Sequence, residues 1–361
     1  MSVGLSLYLD LLRFFLAMVV WTGHSTLNAY TGHPFILWFM FPYMQTAVIA
    51  FFVLSGFVIA HVTSTTESSP QVYAVARISR LYSVVIPALI LTLVCDTIGL
   101  RIDPTAYHTV SITLPNHQVG RYIASFFMVN SFSVSPWGVP GTNGPFWTLS
   151  YEFSYYIAFG LYLTRNRTAL IIGAAALFGL AGFQILALFP IWLLGVAIYH
   201  LQKRWTIPVA GAAILFPLSA VLLTKTGWAR NGWDYSTGRP FHLDYADALL
   251  VAINIYAASS LSRWLTAALS WCRPLIRWLG SLTFVIYLCH RPLLQFMTIL
   301  HVDKPGTPAQ QLWLFGGSFV VIAAIGFFSN RCRKYLRQIL GAVLARPILW
   351  APPRQKYSND P

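Results

Sequence analysis

Charge is what this chain has least of. Only 9% of its 361 residues are charged, and just 10 of those are Asp or Glu, where soluble domains carry about a quarter charged residues. So few charged side chains cannot solvate a soluble surface of this size. With 57% of residues hydrophobic and a mean hydropathy of +0.61, the chain reads as an integral membrane protein. Cysteine is scarce as well. Cys95, Cys272, Cys289 and Cys332 have no paired spacing, which argues against a disulfide framework or a zinc site, so no metal is implied. The start lacks a basic stretch and no small-residue cleavage pattern follows His24, so the first hydrophobic segment is expected to be retained. No fixed-period repeat, low-complexity linker or appended soluble domain is evident.

What the chain does carry is positive charge, a formal net +14. The basic residues are scattered between apolar runs and form no stripe, so no nucleic acid partner is expected and topogenic charge is the plainer explanation. A hydrocarbon core of about 30 Å needs about 20 helical residues. On that ruler ten spans fall near 5–27, 39–62, 83–100, 147–164, 168–186, 188–201, 207–224, 244–262, 279–299 and 310–330. The pair around Pro190 is short and could form one broken hairpin. The run 122–132 is about half the needed length and reads as a re-entrant or interfacial piece. With the N-terminus cytoplasmic, sixteen of the 24 Lys and Arg residues fall in cytoplasmic segments. Six fall outside: Arg101, Arg121, Lys225, Arg230, Arg239 and Lys304. That bias obeys the positive-inside rule. The expected fold is therefore an all-α polytopic transmembrane helix bundle in contact with membrane lipid. Both termini are expected in the cytoplasm, with a membrane domain over 1–335 and a basic tail over 336–361.

Two ionisable residues interrupt the first span. Arg13 and His24 are eleven residues apart, about 20° past three full helical turns and about 16 Å in rise, so they share a face at different depths. Such groups are costly in hydrocarbon and normally face the protein interior or a wet cavity. An arginine near a helix end can instead snorkel to the headgroups. Asp10, three residues earlier, can restrain Arg13 by partnering it.

Three further positions stand out. Arg77 and Arg80 are neighbours on a helix face just before the third span, placed at the cytoplasmic surface by the topology. Paired guanidiniums suit bidentate phosphate binding, although topogenic charge would explain them too. Glu152 follows Trp147 in an aromatic-rich run that opens an out-to-in helix, at a depth comparable to His24. It could otherwise be the structural partner of a buried arginine. His290 lies near the middle of the ninth span, where a histidine often only hydrogen-bonds across helices.

Together these motifs carry a resemblance. Arg13 and His24 separated by ten residues, FFVLSGFVIAH at 51–61, the arginine pair before Leu81-Tyr82, WTLSYEFSYY at 147–156 and IYLCHRPLL at 286–294 occur in the order seen in membrane-bound acyltransferase family 3. The chain resembles that family over about residues 7 to 300. Two positions depart from it: Phe153 stands where many members carry a second acidic or polar residue, and Ser83 stands where proline is common. The resemblance implies an integral membrane O-acyltransferase acting on surface glycans or similar acceptors, expected in a bacterial inner membrane. The donor would be cytoplasmic acyl-CoA, with acetyl-CoA as the first expectation, and the acceptor a glycan or glycolipid hydroxyl at the outer face. His24 would be general base and Glu152 its orienting partner. Arg13, Arg77 and Arg80 would hold the donor, and Asp10, Trp147 and His290 would line the site. A transporter or flippase for a glycan or lipid-linked intermediate is the alternative, in which intramembrane charge lines a substrate path.

Overall fold

In lipid, every backbone amide must find a partner within the protein, so apolar runs fold as helices. The computed structural model describes residues 1–25, 38–109, 117–230, 238–300 and 307–345, and among these it contains helices and turns with no strand. The membrane layer is built from α1 (Val3–Ser25), α2 (Met44–Thr63), α3 (Pro70–Ile102), α4 (Gln118–Phe126), α5 (Trp147–Leu163), α6 (Arg167–Ala181), α7 (Phe183–Arg204), α8 (Val209–Ala229), α9 (Phe241–Ser260), α10 (Ser262–Leu269), α11 (Arg273–Leu300) and α12 (Ser318–Ala345). Seven helical segments are long and apolar enough to cross a membrane: Val3–Ser25, Met40–Thr63, Pro70–Ile102, Phe183–Arg204, Val209–Ala229, Ser262–Leu300 and Ala309–Val343. The remaining expected spans correspond to α5, α6 and α9. The first two have only 17 and 15 residues, and α9 carries Asp244 and Asp247.

Three boundaries differ from the sequence reading, each for a local reason. First, α3 begins at Pro70 rather than near 83. Ser69 caps it by accepting from the Val72 amide, and proline is tolerated in a first turn whose amides lack helical partners anyway. At 33 residues α3 is about 50 Å long, more than the hydrocarbon core requires, so Arg77 and Arg80 ride on the same helix as the span itself. Second, the chain breaks at Gly182, whose φ is +95°, while Pro190 lies inside α7. A Cβ at Gly182 would fall 1.6 Å from Ser133 Oγ, which leaves no room for another residue. Third, α12 continues without interruption past 330, where the last span is expected to end, and residues 346–361 lie outside the described set. Of the half-length run 122–132 only the first five residues are helical, as the end of α4, which has nine residues and is about 14 Å long.

Lipid offers little hydrophobic drive between helices, so close packing through small residues holds the bundle. A Cβ on Gly56 would sit 2.0 Å from the Trp192 carbonyl, and one on Gly195 2.0 Å from the Val53 carbonyl, so the α2 and α7 backbones touch at reciprocal glycines. On the other side, α1 packs on α11, and α3 on α11 and α12. The helices α1, α2, α3, α5, α11 and α12 thereby enclose the space in which the charged residues meet.

Candidate active site

A cavity of about 340 Å³ lies among these helices, within the size range of small-molecule sites. Its lining includes five arginines, Arg13, Arg77, Arg80, Arg277 and Arg333, but only two carboxylates, Asp10 and Glu152. Asp10 bridges α1 and α11. It pairs closely with Arg277 and more loosely with Arg13, at 3.4 Å. A Cβ on Gly280 would come within 2.9 Å of Asp10 Cβ, so that crossing is tight. The expected restraint on Arg13 is present, but Arg277 is the nearer partner.

Arg77 is only 5% exposed. Its Nη2 donates to both carboxylate oxygens of Glu67, at 2.8 and 2.7 Å, and its guanidinium lies 5.7 and 5.8 Å from the rings of Tyr73 and Tyr156. Its Nε and Nη1 have no hydrogen-bond partner among the described residues. Arg80 and Arg333 are partly buried, and among the described residues neither has a carboxylate within ion-pair distance. The two approach from different helices, α3 and α12, and Arg333 lies within electrostatic reach of both Arg80 and Arg77.

Toward the middle of the bundle, Glu152 accepts from Ser55 Oγ at 3.4 Å and closely from the Tyr156 hydroxyl. Trp192 Nε1 donates to Ser55 Oγ at 3.2 Å, closing the group. Arg13 is within electrostatic reach of Glu152, Tyr156 and Arg80. The carboxylate is therefore a member of the arginine-lined cavity and has no described contact with His24. Helical spacing explains the placement. Thr148 and Glu152, four apart, share the face that lines the cavity, whereas Trp147 and Tyr151 share the adjacent one. Trp147 accordingly lies off the cavity, its ring 5.1 Å from Tyr151 and 5.6 Å from the Arg239 guanidinium.

His24 finds another partner. Its Nδ1 lies 2.9 Å from the Val20 carbonyl and 3.1 Å from Nε2 of His290. His290 Nδ1 lies 2.9 Å from the Ile286 carbonyl, and its side chain is fully buried. Neither histidine is among the described residues lining the cavity. The connection runs through Tyr287, which does line it and whose ring is 6.4 Å from that of His290. The structure thus brings Arg13, Arg77, Arg80, Asp10 and Glu152 together and pairs His24 with His290 beyond them.

The sequence reading did not single out Glu67, Ser55, Tyr156, Arg277 and Arg333. Tyr156 could have been found, since it stands four residues after Glu152. Arg333 stands among the basic residues that follow the last expected span, and nothing local distinguishes it from Arg331 or Lys334. Ser55 is brought in by the packing of α2 on its neighbours, and Glu67 by the turn between α2 and α3 that folds it back onto Arg77.

A second set of buried ions joins α8 to α9. Arg230 lies 3.1 Å from Asp244 and 2.5 Å from Asp247, and Arg239 lies 2.6 Å from Asp244. Thr46 donates to Asp247 at 2.8 Å, and Thr226 donates to its other oxygen.

A multi-pass helical bundle around an arginine-rich cavity is the class that fold and geometry define. Within it the chain belongs to a specific family: the profile described as an acyltransferase domain matches residues 6–330, nearly the whole chain. Nodulation protein 10 of Rhizobium leguminosarum bv. viciae is similar, at 27% identity over 178 residues. That match covers 46% of this chain and 48% of the relative, about half the length of each. No solved structure matches the chain.

Proposed function

We propose that the protein transfers an acyl group, acetyl first, from cytoplasmic acyl-CoA to a hydroxyl of a glycan or glycolipid at the outer face of a bacterial inner membrane. The observation that carries this is the charge imbalance of the cavity, five arginines against three carboxylates with Glu67 counted, and with no carboxylate in ion-pair distance of Arg80 or Arg333 among the described residues. Surplus guanidinium charge held in a partly buried space calls for an anionic ligand, and guanidiniums match phosphate oxygens in geometry. The bias of basic residues supports a cytoplasmic placement for this end of the bundle.

In this reading Arg77, Arg80 and Arg333 hold the nucleotide phosphates and Arg13 lines the path of the pantetheine arm. Ser55, Glu152 and Tyr156 offer it hydrogen bonds. The extended arm is about 15–20 Å long, comparable to the rise of about 16 Å between Arg13 and His24 on one helix. At the far end the acceptor hydroxyl gives its proton to Nε2 of His24 as its oxygen attacks the thioester carbonyl carbon. Collapse of the tetrahedral intermediate breaks the C–S bond. The departing thiolate takes the proton back from the imidazolium, leaving an O-acyl ester, coenzyme A and neutral His24.

His24 is the test. In purified protein, His24→Ala should keep acetyl-CoA binding and lose about 10²-fold of turnover, the usual scale for a positioned base. His24→Gln should be equally inactive. Near-parental turnover in both would remove the base, and a parent protein that leaves acetyl-CoA intact would favour the transporter. Mass comparison of surface glycans from a deletion strain and its parent should show loss of acyl increments.

A further inference from the structure

Both ring nitrogens of a neutral imidazole cannot donate: one carries the proton and the other the lone pair. The backbone settles which is which at both histidines. The Nδ1 atoms of His24 and His290 each lie 2.9 Å from the carbonyl oxygen four residues earlier, of Val20 and Ile286, and two lone pairs would repel at that distance. Each Nδ1 therefore bears a proton, and each Nε2 a lone pair. The 3.1 Å contact between His24 Nδ1 and His290 Nε2 then has one polarity, with His24 donating and sharing its proton between Val20 and His290.

We infer that His290 is the positioning residue of the reaction, holding the His24 ring with its Nε2 bare and supporting the charge that ring acquires. The inference rests on the reading of His24 as general base. It assigns to a second histidine the orienting part that the sequence pattern gave to Glu152, which the structure occupies with Ser55 and Tyr156. When Nε2 of His24 takes the acceptor's proton, the Nδ1–H becomes part of an imidazolium, and its hydrogen bond to His290 strengthens. Arg291, next in the chain, lies within electrostatic reach of both rings, and its positive charge opposes that imidazolium. A neutral acceptor on Nδ1 offsets the opposition without adding a carboxylate that would have to be desolvated.

Two polar substitutions separate this role from packing. His290→Asn keeps an amide where Nδ1 bonds the Ile286 carbonyl but empties the position facing His24. His290→Gln does the reverse, placing a carbonyl oxygen near the Nε2 position. Both are measured for acetyl-CoA binding, turnover and the resonance of the His24 Nδ1 proton in histidine-labelled protein. The expected result is unchanged donor KM in both and turnover within about fivefold of the parent for His290→Gln. His290→Asn should lose about 10- to 100-fold in kcat, the scale of a hydrogen bond to a charged group. The His24 Nδ1 proton should stay downfield in the parent and His290→Gln and move upfield in His290→Asn. Equal kcat in the two variants, or an unmoved resonance in His290→Asn, would overturn the assignment. An active His24→Gln would instead overturn the general-base reading, whatever the resonance shows.

Discussion

The protein buries arginine in two places and uses it differently in each. In the α8–α9 cluster, Arg230 and Arg239 meet Asp244 and Asp247, two charges of each sign, and the hydroxyls of Thr46 and Thr226 take up carboxylate oxygens that remain. In the cavity between α1, α3, α11 and α12, five arginines meet three carboxylates, Asp10 and Glu152 in the lining and Glu67 paired with Arg77 behind it. The first set is balanced in charge and acts as a clasp between helices, although Arg230 Nε and Nη1 and Arg239 Nη2 have no hydrogen-bond partner among the described residues. The surplus cations of the second set are the basis of the proposed donor site. Arginine in a membrane helix therefore does not by itself mark a ligand site; the local count of carboxylates decides.

The sharpest break of that comparison lies in the clasp. Arg230→Met should destabilise the protein by about 3–5 kcal/mol, because it strands buried carboxylates without their cation. Thermal unfolding in detergent would read it, and acetyl-CoA affinity of the folded fraction should stay parental. A variant as stable as the parent would mean that the clasp is not structural.

In the cavity the expectation is inverted. Arg80→Ala and Arg333→Ala remove no ion pair among the described residues, so each should leave the melting temperature nearly unchanged and weaken acetyl-CoA binding by about tenfold or more. Titration calorimetry on the purified variants would show it. Parental affinity in both would return these residues to topogenic charge. Arg77 stands between the two regions, since it is paired with Glu67 on one edge and unpartnered on the other. Arg77→Ala should therefore lose both stability and donor affinity. Glu67→Gln keeps the cation and should weaken stability alone, by about 1–3 kcal/mol on the scale of a hydrogen bond to a charged group. Equal loss of binding in the two variants would show that Glu67, too, belongs to the ligand site.

Much of this was written in local sequence. Apolar runs longer than a bilayer's width must become helices because their amides have no other partner, so the all-α bundle followed from composition and length. The shared face of Arg13 and His24 followed from helical periodicity, and α1 is one unbroken helix from Val3 to Ser25. Element ends were less legible. Gly182, not Pro190, breaks the sixth helix from the seventh, because the clash at Ser133 that demands glycine is a contact 49 residues away in sequence. The start of α3 at Pro70 was readable from its capping serine, yet the mixed polar composition of 70–82 hid it from a hydropathy ruler.

Only the tertiary structure decided which charges meet. Glu152 and His24 both fall near one side of the membrane on paper, but the packing of α5 against α2 sets the carboxylate against Ser55, beside its own-helix neighbour Tyr156, and the packing of α1 on α11 brings His290 to His24. Arg333 joins Arg80 because α12 runs beside α3, a proximity no spacing in the chain encodes. Periodicity and hydropathy act over a few residues and determine helices and their faces. Ion pairing acts between helices, and its partners are set by how the helices pack.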